Sequence, residues 1–348
     1  MNDNKLNNYM KQKILLSYGS GGKYTQEFIN NYILKNFSNE ILNQLLDSAV
    51  INLENKKFAF TTDAYTVKPI FFPNGDIGKL SICGTINDLL CVGAIAKFIS
   101  LSLIIEEGLE FEIIEKILNS IKKVAKEENI KIVTGDTKVV EKGSCDKIFI
   151  TTAGIGIIEN NIELNYEKIE PEDVIIVSGN IAEHGLAVLL SRGSYGFEYE
   201  IQSDCASLKS LIEPIILDNE ISQYLKFLRD PTRGGISAVL NEIVSKRKDI
   251  GIEIEESLIP IDEKVKTVCE LLGFDPLQIA NEGKILIIAK NNAVDKILSI
   301  LRSHPLGKNA KVIGKIKHQN KSKVVLKTSF GTKKIVDMPT AEELPRIC

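Results

Sequence analysis

The sequence predicts two domains of mixed α/β (α+β) class, and three observations carry that prediction. A chain of 348 residues exceeds what one hydrophobic core ordinarily holds. Strand-like and helix-like patterns alternate through both halves. The runs Val174–Val177 and Ile285–Ile288 are continuously apolar and strand-length, as strands covered on both faces are.

The elements follow in order. Polar, asparagine-rich residues open the chain and lead into Ser17-Tyr18-Gly19-Ser20-Gly21-Gly22-Lys23, after which a helical pattern runs from Tyr24 toward Leu34. Lys57 to Thr62 is a strand ending on Asp63, and Ile77 to Ala96 mixes small and apolar residues as a buried helix does. Phe98 to Ile105 reads as a strand. Phe111 to Glu128 reads as an amphipathic helix with Ile113, Ile114, Ile117, Leu118, Ile121 and Val124 on one face. Ile130 to Thr134 is a strand that breaks at Gly135, and Lys147 to Ile158 is a longer, alternating one. Residues 1–38 are thus an N-terminal segment and 39–159 a first domain.

The second domain, 160–336, opens on a polar connection containing Pro171. Strand Val174–Val177, a helix from Glu183 to Ser191, a helix from Gly235 to Lys246, strand Ile252–Ile254 and a helix from Glu263 to Leu272 follow. Strand Lys284–Ala289, a helix from Val294 to Ser303, and strands at Lys311–Lys317 and Lys321–Ser329 close it. Residues 337–348 lack either period and form a flexible tail, stiffened by Pro339 and Pro345 and ending on Cys348.

Composition excludes several classes. With 44% hydrophobic residues, 26% charged and a net charge of -3, the chain reads as a soluble globular protein that does not coat nucleic acid. Its apolar runs are far short of a membrane span, and the N-terminus lacks the apolar core of a secretory signal, so a cytoplasmic protein is expected. The six cysteines form no C-x-x-C pair and have no clustered histidines, which argues against a zinc site or a redox dithiol. Five of them read as small buried hydrophobes; Cys348 ends the tail.

Four aspartates sit at strand ends or beside glycines: Asp63, Asp88, Asp136 and Asp230. Singly each is a turn residue or cap. Together they offer the oxygen ligands that magnesium uses while bridging nucleotide phosphates. Gly19-Ser20-Gly21-Gly22-Lys23 is a glycine-rich loop ahead of a helix, suited to anion binding through backbone N–H groups, although it lacks P-loop spacing. Pro231-Thr232-Arg233-Gly234-Gly235 is a second loop of that kind, with a cation. Glu282 is either a cap or a base of raised pKa, Lys138 either a solvated charge or an active-site cation, and His184 either an acid–base group or a local structural residue.

These segments resemble the HypE family of hydrogenase maturation factors, within the superfamily of aminoimidazole ribonucleotide synthetase and selenophosphate synthetase. The resemblance runs from about Leu15 to Cys348 and rests on an ordered set: Gly19-Ser20-Gly21-Gly22, Thr62-Asp63 through Leu80, Cys83-Gly84-Thr85-Ile86-Asn87-Asp88-Leu89, Gly135 through Val140, His184-Gly185, Asp230 through Gly235, Asn281-Glu282-Gly283-Lys284 and Pro345-Arg346-Ile347-Cys348. Tyr18 departs from it, standing where the family usually has histidine.

The resemblance implies the superfamily's two-domain fold and an ATP-dependent dehydration of the protein's own carbamoylated Cys348 to a thiocyanate, the source of cyanide ligands for nickel-iron hydrogenase. It implies a HypF-type carbamoyltransferase and a HypC–HypD iron scaffold as partners, a homodimer, and ATP with Mg2+. By the same resemblance Cys348, Glu282 and Lys138 are catalytic, while Gly19, Ser20, Gly21, Gly22, Lys23, Asn87, Thr137, Arg233 and Gly234 contact ATP. Asp63, Asp88, Asp136 and Asp230 hold the metal. A superfamily enzyme that phosphorylates a small molecule would use the same loops but not Cys348. A metal-delivery scaffold is a poorer reading, because the tail has no second Cys or His.

Overall fold

The structure, a computed structural model, describes residues 22–53, 56–159, 162–193, 200–340, 344 and 346–348. Tyr18 and the loop residues Gly19, Ser20 and Gly21 lie outside the described residues.

The first domain is a five-stranded sheet. Its strands are β1 (Ala49–Leu53), β2 (Lys56–Tyr65), β5 (Ile95–Glu106), β6 (Lys131–Val140) and β7 (Ile148–Ile158), in the order β1-β2-β7-β5-β6. Between β2 and β5 the chain makes a short hairpin, β3 (Phe71–Phe72) with β4 (Gly75–Asp76). All pairs are antiparallel except β5 with β6. Helix α1 (Ile77–Cys91) packs across β2, β5 and β7, and α2 (Phe111–Glu127) packs against α1.

Asp76 starts α1 by accepting the N–H groups of Gly78 and Lys79, a cap worth about 1 kcal/mol. The helix is apolar all round because it is enclosed all round: Ile77, Leu80, Ile86, Leu89 and Leu90 are fully buried, each contributing about 1.5–3 kcal/mol. It stops at Cys91, short of the Ala96 that patterning suggests, because Gly93 turns the chain at φ 79° into β5.

A second correction concerns Gly135. The strand does not break there; β6 runs on to Val140 in parallel register with β5. A Cβ on Gly135 would run into the carbonyl oxygen of Leu101, so the glycine serves close strand approach, not a turn. Asp136, Thr137 and Lys138 therefore sit inside an edge strand.

The second domain is a seven-stranded sheet of β8 (Val174–Val177), β9 (Leu225–Arg229), β10 (Gly251–Glu255), β11 (Leu286–Ala289), β12 (Lys311–Lys317), β13 (Val324–Lys327) and β14 (Lys333–Ile335), in the order β14-β13-β10-β12-β8-β11-β9. The continuously apolar β8 and β11 are buried at every residue, as their patterning requires. The longer helices are α3 (Glu183–Leu190), α4 (Lys209–Leu217), α5 (Gly235–Lys246), α6 (Glu263–Leu272) and α7 (Val294–Ser303). Sequence patterning does not reveal α4, which carries Pro214, nor β9. Among the described residues no helix is long and apolar enough to cross a membrane.

Candidate active site

Where α1 meets the ends of β2 and β9, carboxylates converge. Asp63 lies near the end of β2 and faces α1, with the Thr85 hydroxyl 3.5 Å from its Oδ2. Asp88 projects from α1, and its Oδ2 accepts a 2.8 Å hydrogen bond from Thr61. Asp230 follows the last residue of β9 and is buried, 3.9 Å from the Cys91 thiol. Asp47, just ahead of β1, completes the group: its carboxylate, Cys91 and Asp230 bring ligand atoms within 4.8 Å of one another. Asp47 is missing from the sequence prediction because Asp-Ser before a strand reads as an ordinary turn.

Burial pushes all four carboxyls up. For Asp88 the neighbouring Asp63, Asp230 and Asp47 add to it. Arg229 offsets part of this charge, pairing with Asp47 at 2.8 Å, but it also pairs with Glu242 at 3.2 Å. The cluster keeps an excess of negative charge on oxygen donors, which fits a hard divalent cation such as Mg2+.

That excess makes a stability prediction. Asp230 is raised from 3.8 to about 6, chiefly by burial. A carboxyl raised in the folded state favours folding while protonated, below about pH 4, and that contribution is lost as pH climbs through about 6. For Asp230 alone the loss is on the order of 3 kcal/mol. Magnesium is therefore expected to raise the thermal midpoint more at pH 8 than at pH 5. Equal shifts at the two pH values would contradict the assignment.

Glu282 is buried beside this cluster. Its carboxyl is pushed well up by burial and then by Cys205, Asp230, Asp204 and Asp63. No helix begins at 282, so it is not a cap. Its main chain is fixed on both sides: the N–H donates to Asp204 Oδ1 at 3.1 Å, and the carbonyl accepts from Ala206 N–H and Asn87 Nδ2, each at 3.4 Å. Asp204 in turn meets Lys284 Nζ at 3.2 Å. Tyr65 is buried next to the same acids, and burial followed by Asp63 and Asp88 raises its hydroxyl. A cleft of about 560 Å3 opens against Ser203–Ala206, where two of its four acids, Glu183 and Asp204, pair with Lys284.

The described part of the tail is seated in the same region. Leu344 and Ile347 are buried and Cys348 is half-buried against the core. The main-chain oxygen of Cys348 accepts from Thr66 N–H at 3.1 Å and from its hydroxyl at 3.2 Å. Arg346 pairs with Asp146 at 2.7 Å, and its carbonyl accepts from Lys68 N–H at 3.1 Å. Thr66 is three residues beyond Asp63, so the chain end lies along the continuation of the strand that carries an acid of the cluster.

Comparison with known proteins agrees with this architecture. The AIR synthase related protein N-terminal domain matches residues 46–158, and the corresponding C-terminal domain matches 170–327. The carbamoyl dehydratase HypE of Escherichia coli K12 is 43% identical over 340 residues, covering 96% of this chain and 99% of the relative. The chain belongs to the HypE family. It is an enzyme of the carbamoyl dehydratase class, serving hydrogenase maturation. A crystal structure of a HypE–HypF complex superposes with TM-score 0.84 at 43% identity, covering 90% of this chain and 99% of that one. A HypE structure in complex with ATP gives TM-score 0.80 at 40% identity, covering 97% and 100%.

Within this HypE-family chain the predicted residues divide into two groups. Asp63, Asp88, Asp230 and Glu282 come together, with Arg233 close enough to lower Asp63 electrostatically. Gly234 and Gly235 adopt φ 76° and 58° at the start of α5, and a Cβ on Gly235 would strike the carbonyls of Leu277 and Ile279. Gly22 and Lys23 back onto the root of the tail, where Lys23 N–H donates to Pro339 at 2.8 Å. Asn87 spends its amide on the main chain of Ala206, Leu208 and Glu282, bracing the Glu282 segment.

Asp136, Thr137 and Lys138 are not brought to the cluster within one chain. Register aligns Asp136 with Ser102, Thr151 and Ala64, one row from Asp63 and so on the opposite face, with β7 and β5 between β6 and β2. Asp136 is exposed there and pairs with Lys138 at 2.6 Å, which lowers its carboxyl.

Proposed function

We propose that the chain dehydrates its own carbamoylated Cys348 with ATP and Mg2+ in the cytosol, after a HypF-type carbamoyltransferase has loaded the thiol. The observation that carries this reading is the seat of the chain end at Thr66, beside the strand that bears Asp63.

The chemistry asks three things of the chain. The carbamoyl oxygen must leave as phosphate, so it first takes the γ-phosphoryl group of ATP, where Mg2+ supplies charge neutralisation. Asp63, Asp88 and Asp230, with Asp47, would hold the ion, and Arg233, the side chain of Lys23 and the loop amides of Gly22 and Gly234 would hold phosphate oxygens. As the carbon–oxygen bond breaks, the two N–H protons of the carbamoyl nitrogen must go, closing the carbon–nitrogen triple bond. Glu282 is the base: burial beside Cys205 and the neighbouring acids raises its carboxyl, which makes the carboxylate a stronger proton acceptor. The thiocyanate is then delivered by tail movement to iron on HypC–HypD, so the seated tail is one end of a cycle.

Asp136, Thr137 and Lys138 enter this reading from a second copy. The β6 edge is unpaired among the described residues, Val133 and Val139 on it are 56% and 67% exposed, and Phe60, Ile155 and Phe98 stand in register on the face the helices leave open. A homodimer built on that surface covers it and lends Lys138 to the partner's reaction centre. Mixing an Asp136→Asn chain with a Glu282→Gln chain is the test. Each alone is expected to be inactive, and mixed dimers to regain activity. Inactive mixed dimers would rule out sharing between subunits.

A further inference from the structure

His184 is one of only three histidines, is completely buried at the start of α3, and uses both ring nitrogens. Nδ1 lies 2.7 Å from the Ser203 hydroxyl and Nε2 lies 3.0 Å from the carbonyl oxygen of Ile347, the residue before Cys348. The ring edge packs on Phe72 with centroids 5.3 Å apart and planes at 86°.

The hydrogen bonds fix the tautomer. The Ile347 carbonyl only accepts, so Nε2 must carry the proton. Burial disfavours the charged ring, which leaves Nδ1 bare. Ser203 then donates its hydroxyl proton to Nδ1, while its oxygen accepts the N–H of Cys205 at 3.0 Å. Every partner has the polarity this assignment requires.

Ser203 also opens the segment that fixes the base. Asp204 accepts the Glu282 N–H, and Ala206 N–H donates to the Glu282 carbonyl. Among the described residues the other hydrogen bonds to the main chain of residues 346–348, from Thr66, Lys68 and Arg192, do not run through this segment. Among the described residues His184 ties the seated tail to Ser203–Ala206 and through it to Glu282.

We propose that His184 is a positioning residue for the tail: donation from Nε2 to Ile347 holds the chain end seated, and the Ser203 bond passes that state to the segment bracing Glu282. The inference rests on the dehydratase reading for its purpose, but the seating itself is read without any turnover.

The test is alkylation of Cys348 by iodoacetamide in the full chain, with the labelled cysteine identified by peptide mass spectrometry and the thermal midpoint recorded for each variant. A His184→Phe chain keeps the ring volume and loses the donor, so Cys348 is expected to label up to about tenfold faster, the value of one buried hydrogen bond. A His184→Gln chain, whose amide N–H replaces Nε2, is expected to return most of the protection. Unchanged labelling in the phenylalanine variant, or equal acceleration in both, would overturn the proposal. If the phenylalanine variant fails to fold, Ser203→Ala decides: it loosens the tautomer and is expected to speed labelling, and parental labelling would overturn the proposal. With a HypF-type enzyme present, the phenylalanine variant is expected to accept carbamoyl at least as fast as the parent and dehydrate it more slowly. Absence of dehydration in the parent as well would sink the dehydratase reading and leave the labelling result standing.

Discussion

A Cys348→Ser chain is expected to fold and melt like the parent and to form no thiocyanate at all. The hydrogen bonds from Thr66 to this residue go to its main-chain oxygen, so exchanging sulfur for oxygen leaves them in place. A substitution of this size at a half-buried chain end is ordinarily worth within about 0.5 kcal/mol of stability. The reaction loses its substrate atom, however, because a serine hydroxyl is far less nucleophilic than a thiol and is not an acceptor for the carbamoyl group. ATP consumption driven by carbamoylation should fall to background. The mass of the C-terminal peptide, which reports the chain-bound thiocyanate, is the readout after incubation with the carbamoyltransferase, carbamoyl phosphate and ATP. Any yield from the serine chain would place the chemistry elsewhere and revive a small-molecule phosphorylating enzyme.

Glu282→Gln is expected to lower dehydration by on the order of 10²–10⁴-fold while leaving ATP binding unchanged. The framework should survive, since the bonds that fix residue 282 to Asp204, Ala206 and Asn87 are made by its main chain. The same substitution should stabilise the metal-free fold at pH 8. Burial and the adjacent Cys205 and acids raise the Glu282 carboxyl, so its ionised form opposes folding. That penalty is absent below the unfolded value near 4 and appears as pH rises through the folded one. Glutamine removes it. Thermal melts at pH 5 and pH 8, beside product yields, check both halves. A fully active glutamine variant would remove Glu282 as the base.

Much of the second domain was legible because its strands and helices obey simple periods. Val174–Val177 and the apolar core of β11 are buried at every residue, and α5, α6 and α7 begin and end where patterning puts them. Misreadings arose where one residue type serves two ends. Gly135-Asp136-Thr137 has the composition of a turn, yet its glycine lets β6 approach β5. The helix boundary at Cys91 was hidden because buried Ala94 leads into a strand that opens with buried Ile95 and Ala96, so polarity does not change at the turn.

The candidate site divides in the same way. Asp63, Asp88, Asp230 and Glu282 were visible as acids at element ends, and the fold draws them together. Asp47 and Asp204 carry no local signal, since their significance lies in what folds against them. Asp136 and Lys138 were visible, but single-chain register sets them on the opposite face, which turns attention to the subunit interface. The tail reads from sequence as a thin mobile end. The buried Leu344 and Ile347 give it a seat as well, and neither apolar residue signals that without the groove that receives it.

The most direct measurement is the mass of the C-terminal peptide after incubation with the carbamoyltransferase, carbamoyl phosphate and ATP. The carbamoylated Cys348 peptide is expected to lose one water only when ATP is present, and to keep its carbamoyl mass when ATP is withheld. A carbamoyl peptide that persists unchanged beside hydrolysed ATP would contradict dehydration of Cys348.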